Sequence, residues 1–180
     1  YPFALVAPGK DGSSKISIIP AWWFMYDMFA ITRNKNKFLK RDKRVKKIQY
    51  IETDPLAPDT MQEIMIALDR LIGLTAGYLK SIDSEYMENK TTHEEQYQAA
   101  KDFLHQNSEA EFTLEDPICQ KKFGAVIYKP VQAYKIYRKI VKYFATRTLM
   151  DFCQSLNQEM LTLDLVERIR KLPLYTEWEN

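Results

Sequence analysis

Glycine is scarce in this chain, with 5 among 180 residues, and cysteine and histidine are scarcer still at 2 each. So few glycines, beside 8 prolines, exclude collagen-like and low-complexity chains. Two cysteines, Cys119 and Cys153, cannot build a CxxC zinc site or a disulfide framework. Both sit in apolar stretches, where a buried reduced thiol is expected, in keeping with a reducing, cytoplasmic location. Asp102-x-x-His105 stands alone, whereas a di-iron bundle needs Glu-x-x-His on two helices, so neither metal nor cofactor is expected. No apolar run reaches bilayer length: Ala21–Ile31 is interrupted by Asp27 and is about half of what a membrane span needs. No basic start leads into a signal segment. Gly9-Lys10-Asp11-Gly12-Ser13 lacks the spacing of a P-loop, and there is no nucleophile elbow. No catalytic residue is assigned on this basis, and whether the whole protein is an enzyme stays open.

What is present is the makeup of one globular domain. Apolar residues are 46% and charged residues 28%, enough for a substantial core. The net charge of +2 conceals blocks. Residues 33–47 carry 9 basic and 1 acidic side chain, residues 83–116 carry 2 basic and 10 acidic, and residues 117–150 carry 8 basic and none acidic. Opposite blocks in one chain are expected to pair with each other within the fold.

The periodicities predict a mainly α protein: four to six helices with a short N-terminal β-hairpin or strand pair. Phe3–Val6 and Lys15–Ile19 flank a Gly/Ser-rich tip and read as the hairpin. Two strands alone are marginal in water, so they lean on the helices or continue a sheet upstream. Pro20 opens an aromatic helix to about Asn34, apolar nearly all round and hence expected to be buried on most sides. Residues 51–60 read as a loop, with Thr60 and Glu63 as a capping box that starts the next helix. That helix carries Met61, Ile64, Leu68, Leu71, Ile72, Thr75 and Leu79 on one stripe, with Gly73 and Gly77 on the far side, admitting a second helix or marking a bend. Thr91 and Thr92 with Glu94 and Glu95 cap a further helix ending near Asn107. Phe112–Leu114 and Phe123–Tyr128 read as short strands. Pro130 opens a helix to about Asn157 that is expected to be central, and a last helix is expected over Leu163–Leu172. The division expected is a junction segment, 1–20, and one helical domain, 21–180. The opening at Tyr1 rather than Met suggests a piece of a longer or processed protein.

Three groups are candidate functional residues. The basic run offers Arg33, Lys37, Lys40, Arg41 and Arg44 as an anion site, since such density attracts phosphate. Glu52, Asp54 and Asp59 crowd the adjacent loop as acidic partners, although Asp before Pro or Thr is also an ordinary turn residue. Trp22, Trp23 and Phe29 would pack against another domain. Nucleic acid is disfavoured, because no helix-turn-helix, RNP or zinc pattern accompanies the charge. A surface-lying membrane anchor is disfavoured beside burial against protein.

The words Pro20-Ala-Trp-Trp-Phe-Met-Tyr-Asp-Met28, Arg41-Asp42-Lys43-Arg44 and Glu52-Thr-Asp-Pro-Leu-Ala-Pro-Asp-Thr60, together with Leu114-Glu-Asp-Pro-Ile-Cys119, resemble an uncharacterised bacterial family. In that family a helical C-terminal region follows a left-handed β-helix of hexapeptide repeats. The resemblance implies an upstream domain of the same protein as partner and a homo-oligomer, commonly a trimer. The function expected for this region is a non-catalytic accessory or assembly module that packs through Phe3–Phe29 on that upstream domain. The alternative is the phosphate- or sugar-nucleotide-binding part of a transferase-like enzyme. No hexapeptide repeat lies within these residues.

Overall fold

The computed structural model describes residues 1–9, 14–46, 48, 51–90, 92–107, 111–117 and 124–155. Two short strands, β1 (Leu5–Ala7) and β2 (Ile16–Ile19), lead into helices α1 (Trp22–Tyr26) and α2 (Met28–Arg41). The long helix α3 (Pro58–Ile82) follows, then α4 (Ser84–Glu88) and α5 (His93–Gln106). Strands β3 (Thr113–Asp116) and β4 (Ala125–Tyr128) and helix α6 (Pro130–Ser155) complete the described order. The mainly α reading with an N-terminal strand pair holds. The helix expected over 163–172 and Cys119 lie outside the described residues.

The hairpin forms, with Leu5 opposite Ile19 and Ala7 opposite Ser17. It continues into a sheet of this same chain. The order is β1-β2-β4-β3, with β2 and β4 parallel and β3 antiparallel to β4. A parallel pair needs a long return path, and α1 to α5 supply it. Ile18, Ile127 and Leu114 line up across three strands and are at most 3% exposed. The strand pair is thus joined to the later strands of the first unit. By compactness the chain divides into one unit of Tyr1–Val141 and a second of Lys142–Asn180.

Helix α3 buries the expected stripe of Met61, Ile64, Leu68, Leu71, Ile72, Thr75 and Leu79, with Ala67 added. Its start is earlier than the Thr60–Glu63 pair suggested. Pro58 occupies the first turn, where its missing N–H costs nothing, and Asp59 sits favourably at the positive end of the helix dipole. Gly73 and Gly77 admit no second helix among the described residues, because a Cβ at either would meet nothing within 4 Å. Helix α5 starts as expected, with Thr92 and Glu95 forming a reciprocal capping box. Tyr78 of α3 stacks on Phe112 at 4.6 Å, and Phe103 of α5 meets the same ring edge-on at 5.7 Å. In α6 the first three turns bury Val131, Ala133, Tyr134, Tyr137 and Ile140. From Lys142, in the second unit, no described side chain is buried, and Tyr143, Met150 and Phe152 are exposed. The central placement expected for α6 therefore holds only for its first part.

Two polar links hold the first unit together. The buried Tyr137 hydroxyl donates to the Pro2 carbonyl at 2.6 Å and accepts from the Ala21 N–H at 3.2 Å. Burial pushes its pKa well above the ordinary phenol value, so it stays a donor. The second link is the Asp116 carboxylate, whose side chain is fully buried. Arg70 of α3 grips it with Nε on Oδ2 at 2.6 Å and Nη2 on Oδ1, and the Tyr1 hydroxyl donates to Oδ2 at 2.9 Å. A buried carboxylate stripped of its guanidinium becomes an uncompensated charge. Arg70→Met is accordingly expected to cost about 3–5 kcal/mol in chemical denaturation. Adding Asp116→Asn removes the charge and should recover part of that loss. Equal destabilisation by the single and double variants would contradict the buried-charge account.

Candidate functional site

The segment that carries most of the sequence candidates is α1–α2. The aromatic helix expected from Pro20 to Asn34 is broken at Asp27, whose side chain accepts from the Ala30 N–H at 3.1 Å and caps α2. Trp22 and Trp23 meet edge-on at 5.3 Å and Trp22 tilts against Tyr26 at 5.7 Å. Yet α1 has no buried residue, and α2 buries only Ala30. The expectation that this segment is buried on most sides is therefore corrected. Local forces explain its helicity without burial: the Asp27 cap at one end, Lys40 and Arg41 on the negative dipole end at the other.

Helix α2 is two-sided. Met28, Ile31, Phe38 and Leu39 recur at helical spacing along one side, and Arg33, Lys37, Lys40 and Arg41 along the roughly opposite side. Both sides face solvent from Asn36 to Arg41. Phe29 is 74% exposed, Met28 61% and Leu39 51%, while Trp22 and Trp23 are half-buried.

The basic run does not pair with the acidic block 83–116 among the described residues. Its ion pairs run to nearby carboxylates instead: Lys35 to Asp54 at 3.3 Å, and Arg44 to Asp42 at 2.7 Å. Arg33, Lys37, Lys40 and Arg41 are exposed and form no ion pair with a described residue. Arg44, offered with them as an anion ligand, is held by Asp42 through both Nε and Nη2. The three acidic candidates serve the backbone. Glu52 accepts from the Thr53 and Asp54 N–H groups, Asp54 from Leu56, and Asp59 from Thr60. A hollow of about 510 Å³ lies over Phe38, Arg41, Lys43, Arg44 and Ile51. No group of His, Cys, Asp and Glu able to hold a metal ion occurs among the described residues. No described helix is long and apolar enough to cross a membrane.

Sequence reasoning passed over Asp116 and Arg70, because 46 positions separate them and no local pattern joins them. On α6, Tyr134 and Tyr137 are buried, with Arg138 beside them. There His105 sits edge-on to Tyr134 at 5.5 Å, and its Nδ1 lies 3.3 Å from the Arg138 guanidinium.

No family model matches the chain, and no solved structure matches it. It is similar to an uncharacterised protein of Treponema pallidum (strain Nichols), 31% identical over 156 residues. That similarity covers 84% of this chain and 20% of the relative, so the chain spans about a fifth of the relative's length.

Burial, then the Arg138 and Lys101 cations, hold the His105 imidazole below its ordinary value of 6.5, against an opposing pull from Asp102. The unfolded chain therefore takes up this proton first as pH falls through 6.5, and the folded state loses stability in that window. Thermal melts are expected to show a lower midpoint at about pH 5.5 than at about pH 7.5. His105→Gln should shrink that difference, and an unchanged or larger difference would contradict the assignment.

Proposed function

We propose that this chain is a non-catalytic accessory module that docks on, and helps assemble, a longer protein. By the resemblance given above, that protein carries a β-helix of hexapeptide repeats and works as an oligomer. The observation that supports this reading is the solvent-facing amphipathic helix α2. A 14-residue helix that buries only Ala30 is marginal by itself in water. Its exposed Met28, Phe29, Phe38 and Leu39 gain by being covered. The relative of about five times the length supports the idea of further protein for it to meet. The catalytic alternative has less in its favour: Arg44 and the three candidate carboxylates already serve nearby groups, and the hollow over Phe38, Arg41 and Arg44 also takes in the acidic Asp42.

The test uses Met28→Ser/Phe29→Ser/Leu39→Ser. These side chains are exposed, so the fold of the chain itself should change by no more than about 0.5 kcal/mol. Binding of a hydrophobic dye to the chain should fall. In the longer protein, the module should become sensitive to limited proteolysis. Destabilisation of the chain itself by more than about 2 kcal/mol would show that these residues belong to its own core and would overturn the reading.

A further inference from the structure

The assembly reading leaves open what receives α2. Charge decides among its candidate partners. The helix belongs to a run with 9 basic residues against 1 acidic, and the chain holds one block of opposite sign, residues 83–116, with 10 acidic against 2 basic. Within the first unit these two segments do not pair among the described residues. The basic run's ion pairs go to Asp42 and Asp54, while the acidic block's go from Asp116 to Arg70 and from Glu115 to Lys15. Each segment thus keeps charge directed at solvent.

The acidic block also opens on apolar surface. At the junction of α3 and α4, Ile82 is 58% exposed and Tyr86 48% exposed, with the exposed carboxylates Asp83 and Glu85 between and beside them. Lys90 lies 5.2 Å from the centre of the Tyr86 ring, so this ring face already accepts a cation. The junction is also the C-terminal end of a 25-residue helix, whose dipole adds negative potential there. Phe38 with Arg41 three positions on is the counterpart on α2: an exposed apolar side chain beside an exposed cation, at the edge where the apolar and cationic sides of the helix meet.

We propose that α2 docks on the α3–α4 junction of a second copy of this chain. The proposal rests on the assembly reading and names the partner of the same helix. A phosphate polyanion is the poorer occupant, because it would meet only the cations of α2 and leave the exposed Phe38 and Leu39 uncovered. A second copy turns that same charge separation into attraction. Contacts of this head-to-tail kind close as two reciprocal contacts in a dimer or as a ring.

The experiment is sedimentation velocity on the 180-residue chain and two charge reversals, Lys37→Glu/Lys40→Glu/Arg41→Glu and Asp83→Lys/Glu85→Lys. All five side chains are exposed, but Asp83 caps α4 and Lys40 and Arg41 sit on the dipole end of α2. Each reversal should therefore lower the melting midpoint slightly, and renewed association of the mixed variants separates lost charge pairing from lost structure. The parent should self-associate at ~50 mM salt and at least about tenfold more weakly at ~500 mM, where charges are screened within a few ångströms. Each reversed chain alone should associate at least about a hundredfold more weakly, and an equimolar mixture of the two should associate again. A parent that stays monomeric up to ~1 mM at low salt overturns the proposal, as does association that neither reversal changes. If the parent is monomeric while the α2 reversal still releases the module from the longer protein, the second-copy partner falls and the assembly reading stands. A monomeric parent that binds single-stranded DNA or anionic vesicles through α2 likewise overturns the second-copy partner.

Discussion

The grip of Arg70 on Asp116 is the constraint on which the first unit depends. Asp116 ends β3 on the covered side of the sheet, where an ionised carboxylate without a partner costs several kcal/mol. Arg70 meets that need from the middle of α3, and Tyr1 adds a hydroxyl from the first residue. One buried charge thereby fixes the longest helix of the first unit, the edge strand of the sheet and the N-terminal residue. It also fixes register, since a shift of β3 by one residue would carry Asp116 to the solvent face and Glu115 inward. Tyr137 plays the matching role for α6, tying the Pro2 carbonyl and the Ala21 N–H to that helix. Ala21 takes a left-handed φ of 54° there, and the hydrogen bonds around it hold that conformation in place.

Against this satisfied body, α2 stands out by its lack of cover. Its polar termini are looked after by Asp27, Lys40 and Arg41, but its apolar side is not. A helix stabilised at its ends and open along its side is suited to exchange solvent for a partner. The separation of charge along the chain adds direction to that exchange. It favours an acidic, partly apolar surface over a neutral one.

Much of the fold was readable in the sequence, and the readable parts share one property: their causes are local. The stripe from Met61 to Leu79, the Thr92–Glu95 box and Pro130 at the head of α6 each act within one or two turns. The misses were nonlocal or hierarchical. Parallel pairing of β2 with β4 joins residues more than 100 positions apart, so no hairpin signal announces it. The break at Asp27 was visible as a charge in an apolar run, but its role as a cap required the turn at Ala30. Aromatic residues on every side of residues 22–31 suggested burial, by this chain or by another domain, and among the described residues this chain does not supply it. Of the candidate residues, Arg33, Lys37, Lys40 and Arg41 lie exposed along one side of α2. Arg44 bonds Asp42 and the loop carboxylates accept from nearby backbone groups, while Asp54 also pairs with Lys35, a contact that no local sequence pattern announces.

Amide hydrogen exchange, measured on the 180-residue chain and again on the assembled protein, tests the central claim most directly. The account predicts slow exchange in α3 and in the first turns of α6 in both samples. Amides of Asn36–Arg41 should exchange quickly in the dilute chain and gain at least about tenfold protection on assembly. Protection of α2 equal to that of α3 in the dilute, monomeric chain would contradict it, because the helix would then already have its partner.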